Sequence, residues 1–515
     1  MTTFSFSGAR PALALLSLGL LGGLGSCQTD IAASAAPSSG NADFSRYVAI
    51  GNSLTAGYED NGLYLEGQQN SYPNILAQQF ALAGSSQTFR QPLFTTAQAN
   101  GSGYLRLAGF TNTGAPITQA VTTNLAVRTT TPQVLYTKYT DAIDNLGVPG
   151  IKLADIQTAG YGSTQGNPYF ERITPDASPL QSYFQRVKAE VGTSAAPSAN
   201  GNVTFFTMWL GNNDVLGYAT SGGAAQTTVA ITTPLGTIPA NTGLANPSLN
   251  TITRIDSFTS KANRMAAALT ANGARGVISN IPDVTGIPFF TTVGPALKAR
   301  LTAASVPGLV ILTGGNPGTA ATGNRKQIAT ADIRDASGTG RQLFTLTSSP
   351  YIGLIGQPTG RAHRAVYSQS GLAASGVTFP LYLAAFGIDT TQAFGASAGN
   401  PLPSAFVLDD AEQTLVATAT TGYNTALQTI ATNRGLAFFD ANTYFRSLAT
   451  TGVATNGVSN SASFLTGNLF SLDGVHPTPR GYALVANEII RAINARYGAS
   501  LPQVNPNQYR GVLFP

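Results

Sequence analysis

The segment Arg46-Tyr47-Val48-Ala49-Ile50-Gly51-Asn52-Ser53-Leu54-Thr55 joins a short apolar run to a glycine and a serine. Such a run predicts a buried strand of a parallel sheet. Gly51 permits a sharp turn, which would present the Ser53 hydroxyl at the carboxyl end of that strand, where α/β proteins carry their sites. We therefore predict a strand over 46–50 followed directly by a candidate nucleophile.

Further short apolar runs predict other strands of the same sheet. They cover residues 203–210, 276–280 and 436–440, and helical segments precede most of them. Alternation of strands and helices is typical of helices packed against a mainly parallel sheet. The sequence therefore predicts an α/β sandwich with one main parallel sheet.

Two helix starts are marked by capping residues. Asp409 and Glu412 form a capping box, which predicts a helix running toward residue 434. Thr478 can cap a second helix whose first turn contains Pro479. This second start places His476 on the loop directly before a helix.

Histidine is scarce in this chain, since only two occur in 515 residues. One is His476, within Asp473-Gly474-Val475-His476-Pro477. A serine hydroxyl becomes an effective nucleophile when an imidazole takes its proton and a carboxylate orients that imidazole. Ser53, His476 and Asp473 supply these three groups.

Two more segments lie between the serine and the histidine. They are Asn145-Leu146-Gly147-Val148-Pro149-Gly150 and Gly211-Asn212-Asn213-Asp214, each at the end of a predicted strand. In this order the four segments resemble the blocks of the SGNH/GDSL hydrolase family. Those blocks read Gly-Asp-Ser-Leu, a glycine-containing loop, Gly-x-Asn-Asp and Asp-x-x-His-Pro.

The resemblance implies a role for each matched residue. Ser53 would be the nucleophile, His476 the general base and Asp473 its orienting partner, while Gly150 and Asn213 would join the Ser53 backbone N–H in an oxyanion hole. It also implies a three-layer α/β/α sandwich and hydrolysis of carboxylic esters without metal or cofactor. The chain departs from the family at Asn52, where the first block has Asp, and this difference concerns the loop more than the chemistry.

Three functions remain open at this stage. The first is a hydrolase acting on lipid-like or short-chain acyl esters. The second is a carbohydrate O-acetylesterase acting on polysaccharide. The third is a surface lipoprotein that binds glycans without catalysis, although a binding module has no need for all five matched residues.

The first residues predict export and a lipid anchor. Residues 1–26 carry one positive charge and a short apolar stretch typical of a secretory signal. Leu24-Gly25-Ser26-Cys27 resembles a bacterial lipobox, so Cys27 would carry the lipid and hold the protein on a membrane. We expect transfer across the inner membrane to the cell envelope. Because Gln28 follows the cysteine, the expected destination is the outer membrane, and residues 27–42 would form a flexible tether.

Composition narrows the other partners. Hydrophobic residues make up 43% and charged residues 10% of the chain, with a formal net charge of +5. The basic residues are scattered singly, which argues against a nucleic-acid site. Two separated histidines and a single cysteine supply neither a metal cluster nor a disulfide. The sequence leaves the oligomeric state open.

The spacing of the four blocks predicts insertions into one domain over 43–515. The surplus lies near 84–140, 216–255 and 291–405, which are rich in Thr, Gly, Ala and Asn. We predict loops or β-rich structure there, either covering the site, widening it into a glycan platform or decorating the surface.

Two features resemble a second site. Gly395-Ala396-Ser397-Ala398-Gly399 matches the nucleophile elbow of α/β-hydrolases, but that turn needs a preceding strand and a following helix. The prolines at 401 and 403 block such a helix. His363 lies among basic residues and could contact a substrate, but a solvated loop is the preferred prediction.

Overall fold

A five-stranded parallel sheet lies at the centre of the computed structural model, which describes residues 36–111, 116–192, 198–223, 231–238, 251–313 and 324–515. Its strands are β1 (Tyr47–Gly51), β2 (Asn145–Gly147), β3 (Phe205–Trp209), β4 (Arg275–Ser279) and β5 (Ala437–Phe439). Their spatial order is β5-β4-β3-β1-β2, and each pairing is parallel. The predicted strands are confirmed, with bounds shifted by one or two residues.

Helices cover both faces of this sheet because side chains alternate along each strand. Tyr47 and Ala49 pack in one core with the helices Tyr72–Leu82 and Pro479–Tyr497. Val48 and Ile50 pack in a second core with three helices, Tyr183–Val191, Ile255–Leu269 and Asp410–Asn433. The predicted α/β sandwich with a parallel sheet is therefore confirmed.

The capping residues mark the helices as predicted. The Asp409 carboxylate accepts from the Glu412 N–H at 3.0 Å and the Asp409 N–H donates to Glu412 Oε2 at 2.7 Å. Thr478 Oγ1 accepts from the Gly481 N–H at 3.2 Å. The remaining helices are Ser53–Ala56, Leu65–Gln69, Pro168–Ile173, Asn213–Thr220, Pro288–Thr291, Val293–Ala303, Arg361–Gln369, Phe379–Ala385 and Ala441–Thr450.

The predicted insertions differ from one another in structure. Segment 84–140 contains two antiparallel hairpins, Tyr104–Phe110 with Pro116–Val121 and Val127–Thr129 with Leu135–Tyr136. Segment 216–255 contains the hairpin Ile231–Thr233 with Gly236–Ile238, while 224–230 and 239–250 lie outside the described residues. Shorter pairings elsewhere join Leu343–Phe344 to Val407–Leu408 and Val453–Thr455 to Val458–Asn460.

Segment 291–405 combines long loops with short helices and strands. It contains one hairpin, Gly308–Leu312 with Arg325–Ala329, beside the helices Val293–Ala303, Arg361–Gln369 and Phe379–Ala385. The last of these begins with Thr378 capping the Leu381 N–H at 3.3 Å. Local capping thus allows short helices to form within a segment of loop-like composition.

The predicted tether also needs a correction at its carboxyl end. The Asn41 N–H donates to the Tyr497 carbonyl at 2.8 Å, and the Ser38 carbonyl accepts from the Ser500 N–H at 3.0 Å. Ala42 is buried. Backbone hydrogen bonds therefore hold residues 38–42 against the domain. The predicted signal segment 1–26 and Cys27 lie outside the described residues.

Candidate active site

Ser53 lies directly after β1, as the first residue of the helix Ser53–Ala56. Gly51 is required before it, because a Cβ atom there would lie 1.9 Å from Thr55 Oγ1. The Asn52 side chain caps the helix by accepting from the Leu54 N–H at 3.0 Å. Asparagine thus supplies the acceptor oxygen that a carboxylate would supply, so the departure at position 52 preserves the turn.

His476 joins Ser53 to a carboxylate. Its Nε2 lies 2.9 Å from Ser53 Oγ and its Nδ1 lies 2.8 Å from Asp473 Oδ2. All three groups are largely shielded from water, with side-chain exposures of 13% for His476 and 11% for Asp473. The three predicted residues are brought together although the serine and the histidine are 423 positions apart.

The Asp473 carboxylate is fixed by several donors. Its Oδ1 accepts from the Val475 and His476 N–H groups at 2.8 and 2.9 Å and from Ser471 Oγ at 3.1 Å. Its Oδ2 also accepts from the Asn61 N–H at 3.0 Å. Burial would raise the pKa of Asp473, but the charge of His476 and these donors outweigh it and lower the pKa to about 2. The carboxylate is therefore ionised wherever the histidine can act as a base.

A turn at 59–62 supports this carboxylate, and sequence reasoning missed it. The Asp60 N–H donates to Ser471 Oγ at 2.9 Å, and Asp60 Oδ1 accepts from the Leu472 N–H at 2.8 Å. Behind it, the buried Glu59 forms an ion pair with Arg510 at 2.9 Å. These hydrogen bonds and the buried ion pair thus fix the loop that carries Asp473.

The candidate oxyanion donors Gly150 and Asn213 border the same cleft as Ser53. Gly150 has a φ of +84°, a left-handed conformation that favours glycine. Asn213 Nδ2 donates to the Ile151 carbonyl at 2.9 Å, which commits one of its two amide hydrogens and fixes the side chain. Asn167, another residue missed from the sequence, donates to the Pro149 carbonyl at 2.8 Å. Both amides hold the loop that carries Gly150.

Asp214, the last residue of the Gly211–Asp214 segment, has a structural contact of its own. This buried carboxylate accepts from the Leu153 N–H at 2.6 Å and from the Ala154 N–H at 3.0 Å. Burial raises the pKa of Asp214 to about 6, against the effect of these donors. Its role is therefore to position the loop after Gly150.

Two clefts of different character meet at Ser53 and His476. The open cleft has a volume of about 460 Å³, and its walls include Tyr58, Asn61, Asn167, Tyr169 and Phe289. The second is a narrow apolar slot of about 40 Å³, with walls that include Leu54, Val284, Ile287, Phe445, Phe470 and Pro477. Asn213 and Leu216 border both.

The second serine and histidine segments form no comparable arrangement. The prediction of a solvated loop for His363 was wrong, because this residue is fully buried on the helix Arg361–Gln369. Its Nε2 lies 3.1 Å from Asn400 Oδ1. The Ser397 hydroxyl donates to Gln392, and no regular strand or helix adjoins it. The 395–399 segment is therefore not a nucleophile elbow.

Sequence comparison does not assign the chain to a known family. No protein-family model matches the chain, and no curated protein matches it. Within the described ranges, none of the helices has the length and apolar character to cross a membrane. The same ranges contain no group of three His, Cys, Asp or Glu residues arranged to hold a metal ion.

Proposed function

We propose that this protein is a serine ester hydrolase of the SGNH/GDSL type. The observation that supports it most is the continuous hydrogen-bonded chain Ser53–His476–Asp473, with distances of 2.9 and 2.8 Å. Gly150 and Asn213 border the same cleft at the positions that the family resemblance assigns to oxyanion donors. The parallel sheet with helices on both faces agrees with the three-layer fold of that family.

The first half-reaction follows from these positions. His476 Nε2 takes the Ser53 proton as Oγ attacks the ester carbonyl carbon, and Asp473 stabilises the imidazolium. The Ser53 and Gly150 N–H groups and the Asn213 amide would bind the oxyanion. Collapse of the tetrahedral intermediate breaks the bond to the alcohol, which leaves with the proton from His476. The product is an acyl ester of Ser53.

The second half-reaction repeats these steps with water. His476 takes a proton from water as it attacks the acyl carbon, and the same donors would stabilise the second oxyanion. Collapse releases the carboxylic acid, and the proton returns to Ser53 Oγ. These two half-reactions require no redox step and no metal-bound step.

A direct experiment separates this proposal from a non-catalytic glycan-binding module. Purified protein is incubated with activated acyl esters and, separately, with a fluorophosphonate that labels nucleophilic serines. We expect Ser53-dependent ester turnover and an adduct on the peptide containing Ser53. Absence of both in folded protein would contradict the proposal.

We also propose that Cys27 carries a lipid anchor, on the lipobox-like sequence that ends at this residue. Cys27→Ser should then release the protein from the membrane fraction or block its processing. Mass spectrometry of the mature amino terminus provides the measurement. Unchanged membrane partitioning together with an unmodified terminus would contradict an anchor at this position.

A further inference from the structure

The two clefts at Ser53 differ in volume, and an ester has two arms to place in them. The apolar slot offers about 40 Å³ and the open cleft about 460 Å³. Both reach Ser53 and His476, so a carbonyl carbon at Ser53 Oγ would direct one arm into each. The sizes of the clefts therefore restrict the two arms differently.

The slot holds only a short chain. The 40 Å³ of the slot accommodate roughly three water molecules, at roughly 10–15 Å³ each. This space suits only a short acyl chain. Longer chains would have to displace the slot walls.

The walls of the slot resist displacement. Val284 and Ile287 are each 5% exposed and Phe470 is 3% exposed, because all three also pack in the main apolar core. The Phe470 ring meets the Phe445 ring edge-on at a centroid distance of 6.0 Å. Such close packing disfavours the insertion of extra methylene groups.

We propose that the slot binds the acyl arm, so that the substrates are short-chain acyl esters of bulky alcohols. This inference rests on the proposed hydrolase function. The acyl group stays bonded to Ser53 between the two half-reactions, whereas the alcohol must leave and water must then reach His476. The open cleft supplies that exit and entry, and the narrower slot suits the arm that remains.

The open cleft suits a bulky alcohol that carries hydroxyl groups. Tyr58 and Tyr169 present aromatic rings that meet edge-on at 6.2 Å, and Asn61 adds a polar side chain. Aromatic and amide groups side by side favour a ligand with both apolar faces and hydroxyls. An acetylated carbohydrate has this chemistry, as does an aryl alcohol.

The test is a chain-length series with a constant alcohol, using p-nitrophenyl esters from acetyl to decanoyl. In the unmodified protein kcat/KM for the butyryl ester should exceed that for the octanoyl ester at least tenfold, since one methylene in an apolar pocket changes it by about 10-fold or more. Phe445→Ala enlarges the slot and should raise the octanoyl-to-butyryl ratio at least tenfold. Phe289→Ala is the matched control, because Phe289 borders only the open cleft.

Several outcomes would overturn the assignment. One is an octanoyl preference in the unmodified protein, and another is a ratio that moves in Phe289→Ala and not in Phe445→Ala. Should Phe445→Ala not fold, Val284→Ala enlarges the same slot and must produce the same direction of change. Ser53-dependent turnover with the wrong profile removes only this inference. Absence of any Ser53-dependent turnover and of the fluorophosphonate adduct removes the proposed function itself.

Discussion

His476 and His363 are the same residue type in two environments, and only His476 lies between a carboxylate and a serine hydroxyl. His476 is bonded to Asp473 through Nδ1 and faces Ser53 through Nε2. His363 is buried against Asn400, and burial lowers its pKa to about 4. A carboxylate on one nitrogen and a hydroxyl on the other, rather than the residue type alone, distinguish the proposed catalytic histidine from the buried one.

Replacing the two serines tests this comparison with the largest expected effect. Ser53→Ala should lower kcat by about 10⁴-fold or more, because removing the nucleophile of a triad disables its other members. Ser397→Ala should leave kcat/KM within about twofold, since its hydroxyl bonds only within its own loop. Steady-state ester hydrolysis measures both. If only Ser397→Ala lost activity, the nucleophile would lie in the 395–399 segment and not after β1.

The two histidines can be replaced in the same way. His476→Ala should lower kcat about as much as Ser53→Ala, and the double variant should be no worse than either single one, since triad residues act as a unit. A double variant far slower than both would show that the two residues do not share a mechanism. His363→Gln, compared per folded molecule, should retain turnover.

Asn213→Ala tests the oxyanion side of the catalytic region. Loss of one such donor should lower kcat by about 10²- to 10³-fold. Fluorophosphonate labelling of Ser53 should decrease far less in this variant than in His476→Ala, because the base activates attack and the amide stabilises only the resulting oxygen. Equal loss of labelling in both variants would assign Asn213 a different role.

The structural histidine should reveal itself in stability rather than in turnover. Its pKa is about 6.5 when unfolded and about 4 in the folded protein, so the folded state binds the proton less readily. The stabilisation is therefore fully present above pH 6.5 and is lost as the pH falls toward 4. The change is about 3 kcal/mol at about 1.4 kcal/mol per pKa unit.

The difference between two proteins isolates this effect from other acid-sensitive groups. Denaturant unfolding of the unmodified protein and of His363→Gln is measured from pH 7 to pH 4. The unmodified protein should lose its free energy of unfolding more steeply with falling pH. Parallel curves would mean that His363 is accessible to protons in the folded state.

The smallest expected effect concerns the support behind Asp473. Ser471→Ala removes the hydroxyl that accepts from Asp60 and donates to Asp473. We expect a loss of about 1 kcal/mol in stability and a roughly tenfold fall in kcat with little change in KM. An unchanged kcat with reduced stability would limit the contact to a structural role.

The sequence predicted most of the sheet and the central residues of the candidate site. Strands buried on both faces appear as continuous apolar runs, and the groups at their carboxyl ends follow within a few residues, as Ser53 follows β1. His363 was misjudged because the arginines beside it are exposed while Ala362, His363 and Val366 share the buried face of one helix.

The support of the site could be predicted only in part. Asp60-Asn61-Gly62 is a recognisable turn sequence, but nothing local indicates that it contacts residues 411 or 412 positions further along the chain. Arg510 meets Glu59 across 451 positions for the same reason. Such pairs depend on the assembled fold rather than on neighbouring residues.

The packing of residues 38–42 has a practical consequence for attaching the protein to a surface. These residues lie beside the end of the helix Pro479–Tyr497 and beside Arg275, the first residue of β4. They therefore lie at the amino ends of the sheet strands. Ser53 lies at the carboxyl ends of the strands, because it follows the five residues of β1, which span about 17 Å. A support or fusion partner joined ahead of Ser38 would therefore lie at the amino ends of the strands, away from the clefts, and would leave the cleft entrances free.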